Sequence, residues 1–270
     1  MFAKIREKLA APFDRAPVVS VLRLHGAIGM GGLRGGLSDA GLAAQVEQAF
    51  APKRLAAVAL SINSPGGSPT QSALIAARIR RLATEREVKV YAFCEDVAAS
   101  GGYWLATAGD EIWADDNSIV GSIGVIYAGF GFHELLGKYG VERRVHTAGE
   151  SKSMLDPFKP EVPEDVARIK ALQEQIHQNF IAQVKDRRGA KLADQNLFTG
   201  DVWVGKGAQD VGLIDGVGHL VPKMKDMFGE KVRLNVVTQK RSLFQRLGAP
   251  GVQDVAFAVE ERALWSRFGL

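Results

Sequence analysis

One cysteine, Cys94, stands in a chain of 270 residues. An intrachain disulfide framework is therefore excluded, and a reducing compartment suits the chain. The thiol lies six residues before Ser100, so it has two readings. It is a nucleophile, or it is a small apolar side chain closing the strand Val88–Phe93, which is the commoner fate of a free cysteine. The second reading is preferred.

Long hydrophobic runs are also missing, and no stretch reaches the roughly 20 apolar residues a membrane-spanning helix requires. The opening residues Met1–Phe13 carry charges through any apolar core, which excludes a signal peptide. On a helix, Phe2, Ile5 and Leu9 would share a face, with Lys4, Arg6 and Lys8 around it. Such a basic amphipathic segment either rests on an anionic membrane or packs on protein, and packing is preferred. No run interleaves Lys and Arg with aromatics and the net charge is only +4, so a nucleic-acid partner is not expected.

Cofactor and metal signatures are absent in the same way. There is no His-Glu-x-x-His and no cysteine cluster, so no metal is expected. Gly200-Asp201-Val202-Trp203-Val204-Gly205-Lys206 has P-loop spacing, but Gly207 replaces the required Ser or Thr, and Val-Trp-Val reads as a strand. Gly29-Met30-Gly31 follows a strand, yet Arg34 takes the third glycine position of a dinucleotide fingerprint. No cofactor is expected.

What the chain does have is 46% hydrophobic residues against 24% charged, ample for a sizeable core. Val18–Leu24, Leu55–Ile62 and Val88–Phe93 read as buried strands. Between them fall a Gly-rich turn at Gly26–Gly36, a helix at Asp39–Phe50 capped by Ser38, and a helix from Ser68-Pro69 to about Thr84 with proline at its first position. A helix from about Ser100 to Ala108 follows. Shorter strands are expected at Glu111–Ala114, Ile123–Tyr127 and Val141–Thr147. A long helix runs from Pro163 to Arg188 with Val166, Ile169, Leu172, Ile176, Phe180 and Val184 at helical spacing, and Arg233–Val237 is a last strand. The alternation predicts an α/β fold of mainly parallel sheet. We divide the chain into an amphipathic segment 1–16, a main domain 17–238 and a tail 239–270. The tail's Phe244, Leu247, Phe257, Leu264, Trp265 and Phe268 suit an interface, a membrane surface or the core.

Three segments carry chemistry. Ala98-Ala99-Ser100-Gly101-Gly102-Tyr103-Trp104 puts a serine where a loop enters a helix, with two glycines leaving room for a substrate backbone. Asn63-Ser64-Pro65-Gly66-Gly67-Ser68 follows a strand and offers free backbone N–H groups. Gly149-Glu150-Ser151-Lys152-Ser153 supplies a lysine. A serine hydroxyl needs a base. None of His25, His133, His146, His177 and His219 lies in a triad motif, and Ser100 lacks a Gly-x-Ser-x-Gly elbow, so Lys152 is the better base. Its pKa would have to fall from about 10.4 towards about 7–8, which corresponds to roughly 3–5 kcal/mol and demands a dry site. Ser122, in Gly121-Ser122-Ile123-Gly124, is placed to hold the amine. Gly67 and Gly101 are candidate N–H donors to a carbonyl oxygen acquiring negative charge, and Asn63, Gly66 and Ser68 are candidate substrate contacts.

In order and spacing these segments, with Thr199-Gly200-Asp201-Val202-Trp203 and Gly212-Leu213-Ile214-Asp215, resemble the signal peptide peptidase A family of serine–lysine peptidases in its short bacterial form, from about Val18 to Gly229. The resemblance implies a crotonase-like, Clp-protease-like spiral of repeated β-β-α units. It implies Ser100 as nucleophile, Lys152 as general base, Ser122 as the lysine-orienting hydroxyl and Gly67 as an oxyanion N–H. It further implies peptide substrates, unfolded chains or remnant signal peptides, and a homo-oligomeric ring or dome, with an octamer among the expected sizes, whose sites take Ser and Lys from adjacent protomers. The chain lacks the N-terminal membrane anchor of many such peptidases, so a cytoplasmic location is expected, with peripheral contact at the inner membrane face as its variant. Two other readings stand beside it: an acyl-CoA enzyme on the same fold, which leaves Ser100 and Lys152 unexplained, and a non-catalytic oligomeric scaffold.

Overall fold

A computed structural model of the chain describes residues 16–29, 36–149, 151–238 and 252–270, with side chains from 257 onwards in the last stretch. The amphipathic segment at the start, most of the Gly-rich turn after Gly29 and the first part of the tail lie outside these residues.

Strands β1 (Val18–His25), β2 (Leu55–Ser64) and β3 (Lys89–Ala99) lie side by side in parallel. They form the centre of an eight-stranded sheet ordered β6-β5-β3-β2-β1-β8, with β4 and β7 branching from β3. Every pairing is parallel except β5 with β6, so the architecture is α/β with a mixed sheet. Parallel strands buried on both faces require near-continuous apolar sequence, and β2 supplies it: Val58, Leu60 and Ile62 enter the main core while Ala57 and Ala59 enter a smaller one.

Helices α1 (Asp39–Phe50) and α2 (Pro69–Glu85) cover the main-core face. Ser38 caps α1 by accepting the Gly41 N–H at 3.2 Å, and Pro69 opens α2 as expected. Ser72, Ile75, Ala76, Ile79 and Ala83 repeat every three or four residues and are the buried stripe of α2. A bidentate pair from Arg78 to Asp39, at 2.6 and 2.7 Å, joins the two helices.

β3 runs on to Ala99, beyond its expected end at Phe93, and it bends on the way. Ile62 pairs with Cys94 but Ser64 pairs with Ala98, so β3 holds two extra residues. Glu95 and Asp96 occupy this bulge. Its first half pairs with β4 (Glu111–Ala114) and its second with β5 (Ile119–Gly121), a change of neighbour typical of what a bulge permits. Ser118 links the two short strands, donating to the Cys94 carbonyl at 3.1 Å and accepting the Asp115 N–H at 2.9 Å.

Two expected strands are not formed. Residues 123–127 and 141–147 are extended or irregular and unpaired: Ile123 is buried in the core, and the rest belong to a projecting arm, residues 124–162, that adds no strand to the sheet. Ile126, Tyr127, Phe130, Leu135, Tyr139 and Val141 are exposed there. The apolar pattern that reads as strand reflects side chains that need covering, not a sheet partner. The arm contains α4 (His133–Lys138) and returns through α5 (Pro163–Arg188). Val202–Val204 is strand β6, as its Val-Trp-Val pattern indicates. It is followed by α6 (Gly205–Asp210), β7 (Gly216–Val217), α7 (Leu220–Phe228), β8 (Arg233–Val237) and, in the tail, α8 (Val252–Ser266).

The carboxyl half of α5 is tied down firmly. Phe180 stacks on Trp104 at 4.8 Å, Arg187 donates to the Thr107 and Gly109 carbonyls, and buried Arg188 pairs with Asp215 at 2.7 Å. Burial raises the Asp215 carboxyl, but hydrogen bonds from Arg188, Lys191 and the Ile112 N–H outweigh it and hold it below its ordinary value. A lowered carboxyl contributes stability above the unfolded-state pKa that is lost as pH falls through the folded one. Arg188→Ala, which leaves the half-buried carboxylate only Lys191 and the Ile112 N–H, is expected to cost about 1.5–3 kcal/mol at pH 7 by urea denaturation, and this difference is expected to shrink below about pH 4.

Candidate active site

Three neighbouring parallel strands end at one level, and each delivers a segment identified from sequence. β2 ends at Ser64 and leads into Pro65-Gly66-Gly67. β3 ends at Ala99, so Ser100 is the turn residue before α3 (Gly101–Ala106). β5 ends at Gly121, so Ser122 follows, and Ala99 is paired with Gly121. The Ser100 N–H reaches the Gly121 carbonyl at 2.8 Å. Carboxyl ends of parallel strands are where α/β folds place their sites.

Ser100 has φ +51° and ψ −120°. Positive φ costs a residue with a Cβ on the order of 1–3 kcal/mol and persists only where surroundings enforce it. Here the enforcing contacts are the Gly121 carbonyl behind it and a buried α3 in front, with Tyr103 donating to the Leu213 carbonyl at 2.7 Å and Trp104 against Phe180. The expected helix at Ser100 therefore begins one residue later, with Ser100 as a strained strand-to-helix turn. Its hydroxyl is half-buried and caps nothing. Ser122 repeats the geometry at φ +52°. Its N–H is held by the Asp201 carbonyl at 2.7 Å, and the next residue's carbonyl meets His177 of α5 at 3.1 Å.

Gly66 and Gly67 have φ +104° and +137°. A Cβ on Gly66 would lie 2.8 Å from the Ser100 Cβ, and one on Gly67 would lie 2.1 Å from the Ile28 carbonyl oxygen. Only glycine lets this loop pass between Ser100 and the segment after β1. Among the described residues, the Gly67 and Gly101 N–H groups have no acceptor. They are neighbours, since a Cβ on Gly101 would stand 3.4 Å from the Gly67 nitrogen. Two uncommitted N–H groups beside a serine hydroxyl can stabilise an oxyanion.

The other expected contacts are placed differently. Asn63 binds the β3 bulge through its amide, donating to Asp96 at 2.7 Å and accepting the Val97 N–H at 3.2 Å. Ser68 caps α2, accepting the Gln71 N–H at 3.4 Å. Lys152 is not brought to Ser100 or Ser122 by any hydrogen bond: it lies exposed in a turn of the arm, its amine free of partners among the described residues. The dry surroundings that its assigned role requires are not supplied by the single chain. Elsewhere on the arm, Phe130, Phe132 and Phe158 pack together, Arg143 pairs with Asp156, and a cavity of about 670 Å³ opens between Tyr127–Gly131 and Ser153–Val162. Two buried hydroxyls, Ser64 and Ser72, also touch the glycine loop. Sequence reading missed them, although Ser64 sits inside the motif and Ser72 one helical turn after Ser68.

A model of peptidase family S49 matches residues 83–230, more than half of the chain. The chain belongs to peptidase family S49. Among S49-like relatives, it is 32% identical over 191 residues to a putative signal peptide peptidase of Enterococcus faecium, covering 69% of this chain and 54% of that protein. It is 51% identical over 271 residues to a Brucella melitensis protein named Na(+)/H(+) antiporter NhaA, covering 93% of this chain but 37% of that one. The chain thus spans about a third to a half of the length of these relatives. A membrane-bound stomatin-specific protease, solved as a mutant with a substrate peptide, shares the fold at TM-score 0.53 and 13% identity, over 90% of this chain and 99% of that one.

Family membership does not turn Cys94 into a nucleophile. It is buried, and burial pushes its thiol up to about 12, with Arg188 offsetting only part. In the native protein Cys94 is expected to resist iodoacetamide at pH 8 and to react fully in 6 M guanidinium. Fast native alkylation, followed by mass spectrometry, would contradict this placement.

Proposed function

We propose that the protein is a serine endopeptidase that cleaves unfolded peptides or remnant signal peptides through an acyl-enzyme. The observation that carries the proposal is the strained Ser100 beside the uncommitted Gly67 and Gly101 N–H groups in an S49 chain. Lys152, as the neutral amine, takes the proton from Ser100 Oγ as the oxygen bonds to the scissile carbonyl carbon. The carbonyl oxygen becomes an oxyanion facing Gly67 and Gly101. Collapse breaks the C–N bond, and Lys152 returns the proton to the leaving amine. Water, deprotonated by Lys152, then attacks the ester carbon, and collapse breaks the bond to Ser100 Oγ as Lys152 returns the proton to that oxygen. Ser122 orients the lysine. The scaffold for this chemistry is a crotonase-like, Clp-protease-like spiral, which the change of β3's partner from β4 to β5 supports.

Lys152 reaches Ser100 in a homo-oligomer, a ring or dome in which the arm of one protomer meets the site of the next. An exposed lysine on an arm with six or more exposed large apolar side chains supports that reading, because monomers rarely leave so large a patch open. The proposed location is the cytoplasm, at or near the inner membrane face. Among the described residues no helix is long and apolar enough to cross a membrane, and the Brucella relative carries its matching segment within a longer polypeptide named an antiporter.

Ser100→Ala and Lys152→Ala are each expected to lower casein cleavage on the order of 10⁴-fold or more, with oligomers intact by light scattering. Mixing the two dissociated variants and reassembling them is expected to restore part of the activity, because some sites then receive an intact serine and lysine from different chains. Full activity in either single variant would contradict the dyad. Failure of the mixture to regain activity would place both residues of a site on one chain.

A further inference from the structure

The loop that carries Gly67 is gripped from both ends by buried hydroxyls to which the reaction scheme gives no part. Ser64, at the end of β2, is fully buried and accepts the Gly66 N–H at 3.2 Å. Ser72, in the first turn of α2, is also fully buried and donates to the Ser68 carbonyl at 2.9 Å. Between them the segment after β1 completes the frame. The Ile28 N–H meets the Gly66 carbonyl at 2.8 Å, and the Ser68 N–H meets the Ile28 carbonyl at 2.9 Å. Both polar backbone groups of Gly66 and both of Ser68 therefore have partners. The N–H left over belongs to Gly67, the residue between them.

Ser72 also touches the second donor's residue. A Cβ on Gly101 would come within 2.4 Å of Ser72 Oγ as well as 3.4 Å from the Gly67 nitrogen. The Ser72 hydroxyl thus stands where the two segments bearing the uncommitted N–H groups meet.

Helix stability does not call for this hydroxyl. The Ser72 N–H already bonds the Ser68 carbonyl at 3.1 Å, and alanine has the higher helix propensity. A serine that back-bonds to the carbonyl four residues earlier is neutral or slightly unfavourable for a helix. What the second bond adds is a fixed orientation for the Ser68 peptide, and hence for the loop that precedes it. Ser64 does the same at the other end through Gly66. Since a donor displaced by even about 1 Å loses much of its effect on a transition state, such a frame has a function that packing alone lacks.

We infer that Ser64 and Ser72 are positioning residues that aim the Gly67 N–H at the oxyanion of acyl transfer, an inference that rests on the peptidase reading above. Neither touches the reacting atoms, and both act through the loop.

The test compares the wild-type protein with Ser72→Ala, Ser64→Ala and Ser118→Ala, a buried hydroxyl in the same sheet between β4 and β5. Steady-state cleavage of a fluorogenic peptide gives kcat and KM. Inhibition by a peptide boronate, which mimics the tetrahedral state, reports on the oxyanion donors, and binding of the matching product peptide reports on the ground state. Ser72→Ala and Ser64→Ala are expected to lower kcat about 10- to 100-fold, less than outright loss of a donor, with KM unchanged. Boronate affinity is expected to fall in step with kcat while product binding holds. Ser118→Ala is expected to lower Tm and leave kcat alone.

Wild-type kcat and boronate affinity in both loop variants would overturn the inference, and so would losses that merely follow Tm. If one variant fails to fold the other carries the test, and failure of both assigns the hydroxyls to stability and overturns it. Wild type that neither cleaves the peptide nor binds the boronate overturns the peptidase reading itself, an outcome distinct from the others because no variant is needed to see it.

Discussion

The bulge in β3, and the Asn63 amide that binds it, is the constraint on which the site depends. Ile62 faces Cys94 while Ser64 faces Ala98, so β3 gains two residues against β2 and turns towards a new neighbour. Without that turn β3 would end against β4, and Ser100 would have no β5 beside it. With it, the ends of β2, β3 and β5 come level, and the Ser100 N–H finds the Gly121 carbonyl. Asn63 stabilises the irregularity by accepting the Val97 N–H that the broken ladder leaves over, and its amide also donates to the exposed Asp96 carboxylate. A residue that reads as a substrate contact in sequence has its side chain committed to the geometry behind the site.

The resulting site is built in two unequal parts. Ser100, the proposed nucleophile, and the N–H pair of Gly67 and Gly101 are preorganised, fixed by short hydrogen bonds, buried aromatics and glycines that have no room for a side chain. The proposed base is not: Lys152 rides on an arm whose apolar side chains lie open to solvent. Holding Ser100 at positive φ needs a rigid surround, and the sheet and α3 provide it. Delivering a lysine into a dry site needs a surface to close over it, and one chain does not provide that. Under the proposed assembly, the same burial that covers the arm would desolvate the amine, so oligomerisation and activation would be one event.

Much of the central sheet was legible because its signals are local. Ser38 and Ser68-Pro69 mark helix starts by capping chemistry, and β1 and β2 are apolar runs bounded by turns. The glycine loop and Ser100 were legible as motifs. β5 was not, since Ile119-Val120-Gly121 is three residues whose strand character comes from its partners β3 and β6. Residues 123–127 and 141–147 misled for the converse reason. Their apolar residues look like strand positions, but periodicity reports a demand for burial and not the partner that meets it. The tail helix Val252–Ser266 likewise escaped notice because its apolar residues form no clean stripe. Ser64 and Ser72 needed the structure, because a buried hydroxyl and an exposed one are the same letter.

The most direct measurement of the central account is the rate at which a fluorophosphonate labels Ser100 as protein concentration is varied, with mass followed by light scattering in the same samples. The account predicts that labelling per chain rises with the oligomeric fraction and is negligible in the dissociated protein, because the nucleophile is ready but its base is absent. Rapid labelling of the monomer at a rate independent of concentration would contradict it, and would mean that the arm closes on its own chain.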